Sequence, residues 1–480
     1  MPSPAEPATV AGAGELDGLR PGRRRIAYLA LATATTMAVL DGTIANTALP
    51  TIAHELHASP TASIWVVNGF QLAVTAALLP LASLGTIHGA TRVYRAGVIA
   101  FVVASLACAL SRSLPVLVIA RVLQGFGAAG IMAIAPAILR DIFPKQQLGR
   151  ALGINALVVA TSSAAGPTLG GFVLAVAHWS WIFALNVPIG LVNIALNRTL
   201  PSDTPRGGTL DLPSVVTSAA GLSLAIWALD GFSRQEPRWS IGVRLAVAAV
   251  ALVWFVRRQF VLPKPMVDLD LFGIRAFSAA AGASWLTFTS QGLAYVALPF
   301  YFQESLGRSP LESGLLLTSW PLAIAVVAPV AGRLADRYPP AVLATIGLAI
   351  YSCGLAFYAT LPPDAGTLGI VLRGVACGVG FGFFQSPNNR EFIGSAPRAK
   401  TPSAAGLLAI VRVSGQTLGA TLVAIVFGAF GAEFVHAHAV GERIARAVPF
   451  TLSIACAAAI GATVVSALRL RPRSLVTPEA

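Results

Sequence analysis

The chain has 480 residues, of which 55% are hydrophobic and only 11% charged, with a formal net charge of +13. A soluble chain carries about a quarter charged residues, and with a mean hydropathy of +0.74 the composition excludes an ordinary globular enzyme and points to a polytopic membrane protein. The net charge alone would suit nucleic acid, but the placement of the basic residues assigns them to a membrane surface instead.

Residues 1–19 are Pro-, Ala-, Glu- and Gly-rich without periodicity, which predicts a disordered tail. Apolar runs of about twenty residues then predict helices near 26–50, 63–85, 93–111, 114–139, 151–176 and 180–198. A polar break at Pro201–Asp211 is followed by helices near 212–230 and 241–256. A second break, Gln259–Arg275, precedes helices near 276–302, 310–332, 340–361, 366–387, 402–430 and 447–469. The expectation is therefore an all-α polytopic protein of 14 transmembrane helices, arranged as two pseudo-symmetric six-helix bundles and a two-helix insert. Its divisions are a tail at 1–25, a first bundle at 26–199, a linker with two extra helices at 200–262, a second bundle at 263–470 and a tail at 471–480.

Arg20 and Arg23–Arg25 before the first run resemble a signal peptide's basic region. The run is too long for a signal core, holds Asp41 and lacks a small-residue cleavage pattern, so it reads as a retained helix. An even helix count places both ends on one face. With the N-terminus in the cytoplasm, Arg112, Arg234, Arg238, Arg244, Arg308, Arg443 and Arg446 fall outside, and most of the 33 basic residues fall inside, as the positive-inside bias requires. The four cysteines, Cys108, Cys353, Cys377 and Cys456, lie in different apolar runs without metal-ligand spacing and read as packing residues.

Asp41 is the only one of twenty acidic residues well inside a membrane-length run, and a carboxylate in hydrocarbon is costly enough to imply service to a proton, an ion or a substrate. At 1.5 Å per residue it lies roughly 24 Å from Arg25, and Arg121 roughly 12 Å from the Ser111–Ser113 turn, both in the outer half of the membrane. Either they form a fixed ion pair between the first and fourth helices, or the carboxylate cycles a proton as a cavity opens and closes. Leu117–Gly127 and Gly369–Gly380 each place an arginine, Arg121 or Arg373, before closely spaced glycines in the fourth helix of a block, which reads as an internal repeat.

Gly166-Pro167-Thr168-Leu169-Gly170-Gly171 in the fifth helix combines small residues that let helices approach with a proline that bends the chain. Gly332-Arg333-Leu334-Ala335-Asp336-Arg337 closes the tenth helix, where an acid suits a neighbouring helix N-terminus. The matching place after the second helix carries Thr86 instead of an acid, with Gly89 and Arg92 beyond it. Candidate cavity residues are Asn46, Trp65, Asn68, Gln71 and Gln124 in the first block, and Trp285, Gln291, Trp320, Arg373, Gln385, Arg412 and Gln416 in the second. Asn388 is a further polar candidate. Arg373 and Arg412 need carbonyls, Gln416, water, an anionic substrate or Asp41 to satisfy them.

Gly125-Phe-Gly127-Ala-Ala-Gly130 matches a dinucleotide fingerprint but has no preceding strand, so it reads as helix packing. His54, His57, His436 and His438 read as surface residues, no metal site is expected, and the missing Gly-Lys-Ser/Thr loop leaves a gradient or a partner as the driving force.

Together, Asp41–Pro50, Trp65-Val-Val-Asn68-Gly-Phe-Gln71, the Arg121, Gln124, Gly125, Gly127 set, the Gly166–Gly171 string and Trp181-Ile-Phe-Ala-Leu-Asn186-Val-Pro188-Ile-Gly190 resemble the major facilitator superfamily. Within it they are similar to the fourteen-helix drug:proton antiporters of the EmrB/QacA type, over residues 26 to 470. The resemblance implies proton coupling through Arg121, control of antiport direction and leak by the Gly166-Pro167 helix, and conformational switching at the helix-end loops. Thr86, Ala90 and Thr91 depart from the family's first switch motif, while Asp336 and Arg337 keep the second.

The expectation is a proton-driven exporter of small amphipathic compounds in a bacterial inner membrane, working by alternating access. It is not an enzyme, uses no cofactor, and is a monomer whose accessory export partners are unknown. The competing readings are a dedicated exporter of one metabolite or natural product, anionic if Arg373 and Arg412 contact it, and a non-transporting membrane sensor.

Overall fold

A computed structural model of the chain describes residues 18–470 except 203–204, 206, 264, 363–364, 398–399 and 433–436. Residues 1–17 of the expected N-terminal tail at 1–25, the tail at 471–480, His436 and the side chain of His438 lie outside the described residues, and the end of the first tail is already helical from Pro21.

The helices are α1 (Pro21–Glu55), α2 (Trp65–His88, after a single turn at Pro60–Ser63), α3 (Ala90–Leu110), α4 (Leu114–Ile142), α5 (Lys145–Val176) and α6 (Asn186–Leu196, after a turn at Trp181–Ala184). The insert is α7 (Leu212–Ser233) and α8 (Arg238–Val261). The second bundle is α9 (Arg275–Phe300, ending in a π-helical turn at Tyr301–Ser305), α10 (Pro310–Leu334), α11 (Pro340–Ala359), α12 (Thr367–Gly394), α13 (Thr401–Ala429) and α14 (Ala437–Ala467). No strand occurs among the described residues.

Local chemistry sets several of these boundaries. Pro21, Pro310 and Pro340 open their helices where a missing N–H costs nothing. Ser309 and Glu312 exchange side-chain and backbone hydrogen bonds in a capping box before α10. Gly89, at φ 109°, makes the one-residue joint between α2 and α3, a conformation that a side chain would strain.

Several helices outrun the apolar stretches that announce them. A 35-residue α1 extends well beyond a hydrocarbon layer about 30 Å thick, because helix continues into the interface after the apolar run has ended. The same extension carries α12 to Gly394 and places Glu391 on it, so the second bundle's helices do contain an acid. By composition, α9 is the helix that falls short of a membrane span. It carries Ser284, Thr287, Thr289, Ser290 and Gln291 in succession, all buried by neighbouring helices.

In the first bundle α4 packs on α2 and α3, and in the second α12 packs on α10 and α11. A Cβ on Gly125 would lie 2.5 Å from the Phe70 carbonyl of α2, and one on Gly378 would lie 2.3 Å from the Trp320 carbonyl of α10. Gly127 and Gly380 press in the same way on the Phe101 and Tyr351 amides of α3 and α11. This register pairs Arg121 with Gly374, not with Arg373. At Gly374 a Cβ would meet Ser319 Oγ at 2.0 Å, so the second copy has no room for an arginine there.

The helices α7 and α8 pack chiefly on each other. Their junction docks where the Ser233 backbone meets Gly428 of α13, whose absent Cβ would lie 2.5 Å from the Ser233 carbonyl. Exposed side chains such as Val103, Leu110, Val250 and Leu372 make the outer surface apolar, as a lipid-facing belt requires.

The two bundles meet along α5 with α10, α2 with α13, and α1 with α9. In the half farther from the N-terminus, residues 283–302 of α9 are nearly all buried. In the half nearer the N-terminus, α5 is exposed at Gly149, Arg150, Leu152, Gly153, Ile154 and Leu157, and α10 at Leu322, Val326 and Val330. The far half of the same two helices exposes Leu169, Phe172, Val176 and Leu315 as well, and nearer the N-terminal face α2 and α13 stay in contact, a Cβ on Gly406 lying 3.6 Å from the Leu79 side chain.

Candidate functional site

Asp41 and Arg121 meet in a wholly buried ion pair between α1 and α4. The second carboxylate oxygen accepts from Gln124 Nε2 at 2.9 Å and from Asn186 Nδ2 of α6 at 2.8 Å. Arg121 also donates through Nε to the Val66 carbonyl of α2 at 2.9 Å and through Nη1 to Gln124 Oε1 at 2.7 Å. Its guanidinium lies 4.2 Å from the Phe70 ring centroid and 5.4 Å from that of Phe183. Gln124 continues to Ser105 Oγ at 2.8 Å, and the Cys108 thiol donates to Gln124 Oε1 at 3.5 Å. One charge pair thus ties α1, α2, α4 and α6 together in a region where unpaired charge is prohibitive. Arg121 Nη2 keeps no partner among the described residues.

The glycines of the Gly166–Gly171 string divide their work between two neighbours. A Cβ on Gly166 would lie 2.0 Å from Thr43 Oγ1, and one on Gly170 would lie 3.0 Å from the Ile44 side chain, so both glycines admit α1 just past Asp41. Gly171 faces the other bundle, where its Cβ would meet the Pro310 carbonyl at 2.7 Å, while a Cβ on Gly314 would meet the Pro167 carbonyl at 2.3 Å. The α5 helix is therefore wedged between the helix that carries Asp41 and α10.

Neutral hydrogen bonds cross the seam in the same half. Asn68 Nδ2 donates to Thr421 Oγ1 at 3.2 Å, Gln303 Nε2 donates to the Thr47 carbonyl at 3.0 Å, and the Thr168 and Thr318 hydroxyls bond each other. A small recess beside them is lined by Thr43, Asn46, Thr47, Pro167, Tyr295 and Leu317. Buried atoms without partners among the described residues include Asn46 Oδ1, Thr47 Oγ1, Asn68 Oδ1, Gln71 Oε1 and Trp65 Nε1. Of these residues Asn46 and Thr47 line the recess, where their polar atoms offer hydrogen bonds to a water or a substrate.

Other candidates sit elsewhere. Trp320 is a core residue, 1% exposed and ringed by Tyr295, Tyr351 and Tyr358, not a cavity wall. Arg373 donates to the Phe357 carbonyl at 2.8 Å and the Gly369 carbonyl at 3.0 Å. One residue out of register with Arg121, it is turned by about 100° and caps carbonyls instead of joining a cavity. Asn388 is buried against Ser284 and Arg469 near the N-terminal face. Gln416 donates to Gln291 at 3.1 Å, Trp285 is 38% exposed, and Gln385 is partly buried. Arg412 is partly buried and makes no hydrogen bond or ion pair with any described residue.

At the helix ends, the Thr86 hydroxyl bonds back to the Ala82 carbonyl of its own helix at 3.3 Å and caps no neighbour. Asp336 pairs with Arg390 of α12 inside the same bundle, and Arg92 and Arg337 are exposed. Gly332 passes 3.8 Å from Ser386 of α12, measured from its absent Cβ. Asp41 is not the only buried carboxylate. Asp230 in the last turn of α7 is 2% exposed and pairs with Arg234, and Glu391 pairs with Arg469.

The sequence reading assigned no role to Asn186, Ser105, Phe70, Phe183, Gln303, Thr318 or Thr421. Asn186 lies in the Trp181–Gly190 string, where an amide among apolar residues is the available signal. Nothing local marks which threonines cross a seam. His54 and His57 are exposed, and no group of metal-ligating residues is found among the described residues.

A model of the Major Facilitator Superfamily matches residues 31–420 and 280–479. The chain belongs to the major facilitator superfamily. It is 44% identical to the uncharacterized transporter YebQ of Escherichia coli (strain K12), over 96% of this chain and 99% of that protein. It is 28% identical to the multidrug export protein EmrB of Haemophilus influenzae, over 87% of this chain and 82% of that protein. A bacterial homologue of the human lysosomal transporter Spinster, solved in an inward-facing and unoccupied conformation, superposes with a TM-score of 0.68 at 18% identity, over 95% of this chain and all of that one. The fold, at that identity, is what is shared.

As a major facilitator transporter the chain is a multi-pass membrane protein. The knot at Asp41 belongs to one bundle, and the seam lies between the two.

Proposed function

We propose that this protein exports small amphipathic compounds from a bacterial cytoplasm in exchange for protons, with both chain ends on the cytoplasmic side of the inner membrane. The observation that carries the reading is the wholly buried Asp41–Arg121 pair, held by four helices and adjoined, through α5, to the seam between the bundles.

The basic residues concentrated on the N-terminal face make that face cytoplasmic, so a cytoplasmic substrate enters from that side. Protonating Asp41 removes the counter-charge that Arg121 needs. Arg121 then keeps the Val66 carbonyl, Gln124 and two aromatic rings, while α1 loses its strongest tie to α4. Any resulting shift of α1 presses on Gly166 and Gly170, which have no slack. From there α5 transmits it to α10 through Gly171 and Gly314. Each proton entering down a 100 mV potential supplies about 2.3 kcal/mol, enough to concentrate a substrate outward.

Inverted membrane vesicles energised by respiration, containing this protein and a panel of anionic, neutral and cationic amphipathic dyes, test the reading. Accumulation of a dye that collapses on adding a protonophore supports it. Dye accumulation indifferent to the protonophore, or none with any dye, removes the antiport claim.

A further inference from the structure

We infer that Arg412 forms an anion-recognising subsite, and that the compounds carried bear a carboxylate or a comparable single anionic group beside an aromatic or apolar body. This deepens the export reading and rests on it.

Three arginines lie in the interior of the expected spans, and their surroundings differ. Arg121 has Asp41, and Arg373 has two backbone carbonyls. Arg412 has no hydrogen-bonding or charged partner among the described residues, yet it carries five donors in a rigid fork. It lies roughly 18 Å along α13 from Lys400, near the middle of the membrane. A guanidinium at that depth is tolerated where water or an anion reaches it, and its partial exposure shows that the side chain is not sealed in.

The packing of α13 says where Arg412 points. Gly415 and Gly419 press on α9 at the Trp285 and Thr289 carbonyls. Ala409 and Val413 belong with the apolar cluster of the first bundle, where α2 lies. At 100° per residue, Arg412 falls between these two faces, on the same stripe as Gln416 one turn farther along. Gln416 in turn donates to Gln291 of α9. The guanidinium thus stands at the junction of the bundles. Because Gly415 abuts the Trp285 carbonyl, the partly exposed Trp285 lies at a similar level on the adjoining helix.

The charge balance points to the ligand. Asp41 is committed to Arg121, and Glu391 to Arg469 at the N-terminal face. A carboxylate could take two parallel N–H bonds from the fork, with a flat apolar body against the indole. A cation entering the same space would meet an uncompensated like charge.

The test is equilibrium dialysis of the purified full chain in nanodiscs against 1-naphthoate, 1-naphthylmethanol and 1-naphthylmethylammonium. We expect naphthoate to bind at least about tenfold more tightly than either analogue. Arg412→Gln is expected to erase that preference, and Arg412→Lys to retain part of it through charge without the fork. Equal binding of all three, preference for the cation, no binding of any, competition by chloride that removes naphthoate at equal concentration, or a preference that survives Arg412→Gln overturns the inference. Dialysis needs no gradient, so a protein that prefers naphthoate but moves no protons keeps this subsite and loses the antiport reading.

Discussion

Asp41 of α1 and Arg121 of α4 form an ion pair with both side chains at 0% exposure. The remaining bonds of the pair reach α2 and α6 within the first bundle. Proton chemistry at Asp41 therefore acts first on the internal packing of one bundle, and α5 is the element placed to pass it on.

Removing one member of a buried pair strands the other and costs about 3–5 kcal/mol, while removing both costs much less. Asp41→Asn and Arg121→Gln are each expected to lower the thermal midpoint of the purified protein, and the double variant to recover most of the loss. Thermal unfolding in detergent checks the stability, and proton flux in liposomes checks the function. The double variant folds but does not couple. A double variant that couples normally makes the pair structural.

A methyl group at Gly171 would press on the Pro310 carbonyl, and overpacking of this kind costs about 1–3 kcal/mol. It falls on the contact that closes the far face, so Gly171→Ala is expected to favour opening there. Labelling of single-cysteine reporters on the far half of α10 by a membrane-impermeant thiol reagent should rise several-fold over the parent. Gly149→Ala is the control, because nothing lies within 4 Å of its absent Cβ, and labelling should not change.

The neutral hydrogen bonds at the seam are each worth about 1 kcal/mol. Asn68→Leu with Thr168→Val removes two of them and is expected to widen the spin-label distance distribution between far-face sites on α2 and α13, with little loss of thermal stability. An unchanged distribution would show that apolar contact alone holds the face shut.

At the mouth of the insert, Arg258 donates to both oxygens of Asp211, and Ser214 bonds it too. These bonds, Arg258 first, hold the Asp211 carboxyl down at about 2, below its ordinary 3.8. A depressed folded value means the clamp contributes fully above the ordinary carboxylate range and is lost only as pH falls toward 2. Asp211→Asn is expected to speed amide exchange in the first turns of α7 equally at neutral and mildly acidic pH. A mutant effect that vanishes on mild acidification contradicts the assignment.

The sequence was most informative where one residue type is costly in its surroundings. Asp41 and Arg121 stand out in apolar runs, their depths agree, and the structure brings them together. The Gly166–Gly171 string likewise announces close approach, because small residues in a helix serve little else. Register was less legible. Arg121 and Arg373 look equivalent by eye, yet a one-residue offset visible only in the Gly125–Gly378 and Gly127–Gly380 contacts sends Arg373 to backbone carbonyls of α11 and α12. Trp320 reads as an aromatic wall, since a sequence does not say which face of α10 meets α12. Helix ends were underestimated for a related reason. An apolar run marks the hydrocarbon, not the helix, which is how Glu391 came to lie on α12.

The most direct measurement is substrate-evoked proton movement in liposomes reconstituted with the purified protein, wild type beside Asp41→Asn, using a substrate that binds both. Cycling of Asp41 predicts alkalinisation or acidification of the lumen on adding substrate to the wild type and none with the Asn variant, although the variant still binds. Proton movement of equal size in the two would contradict the assignment of Asp41 as the proton site.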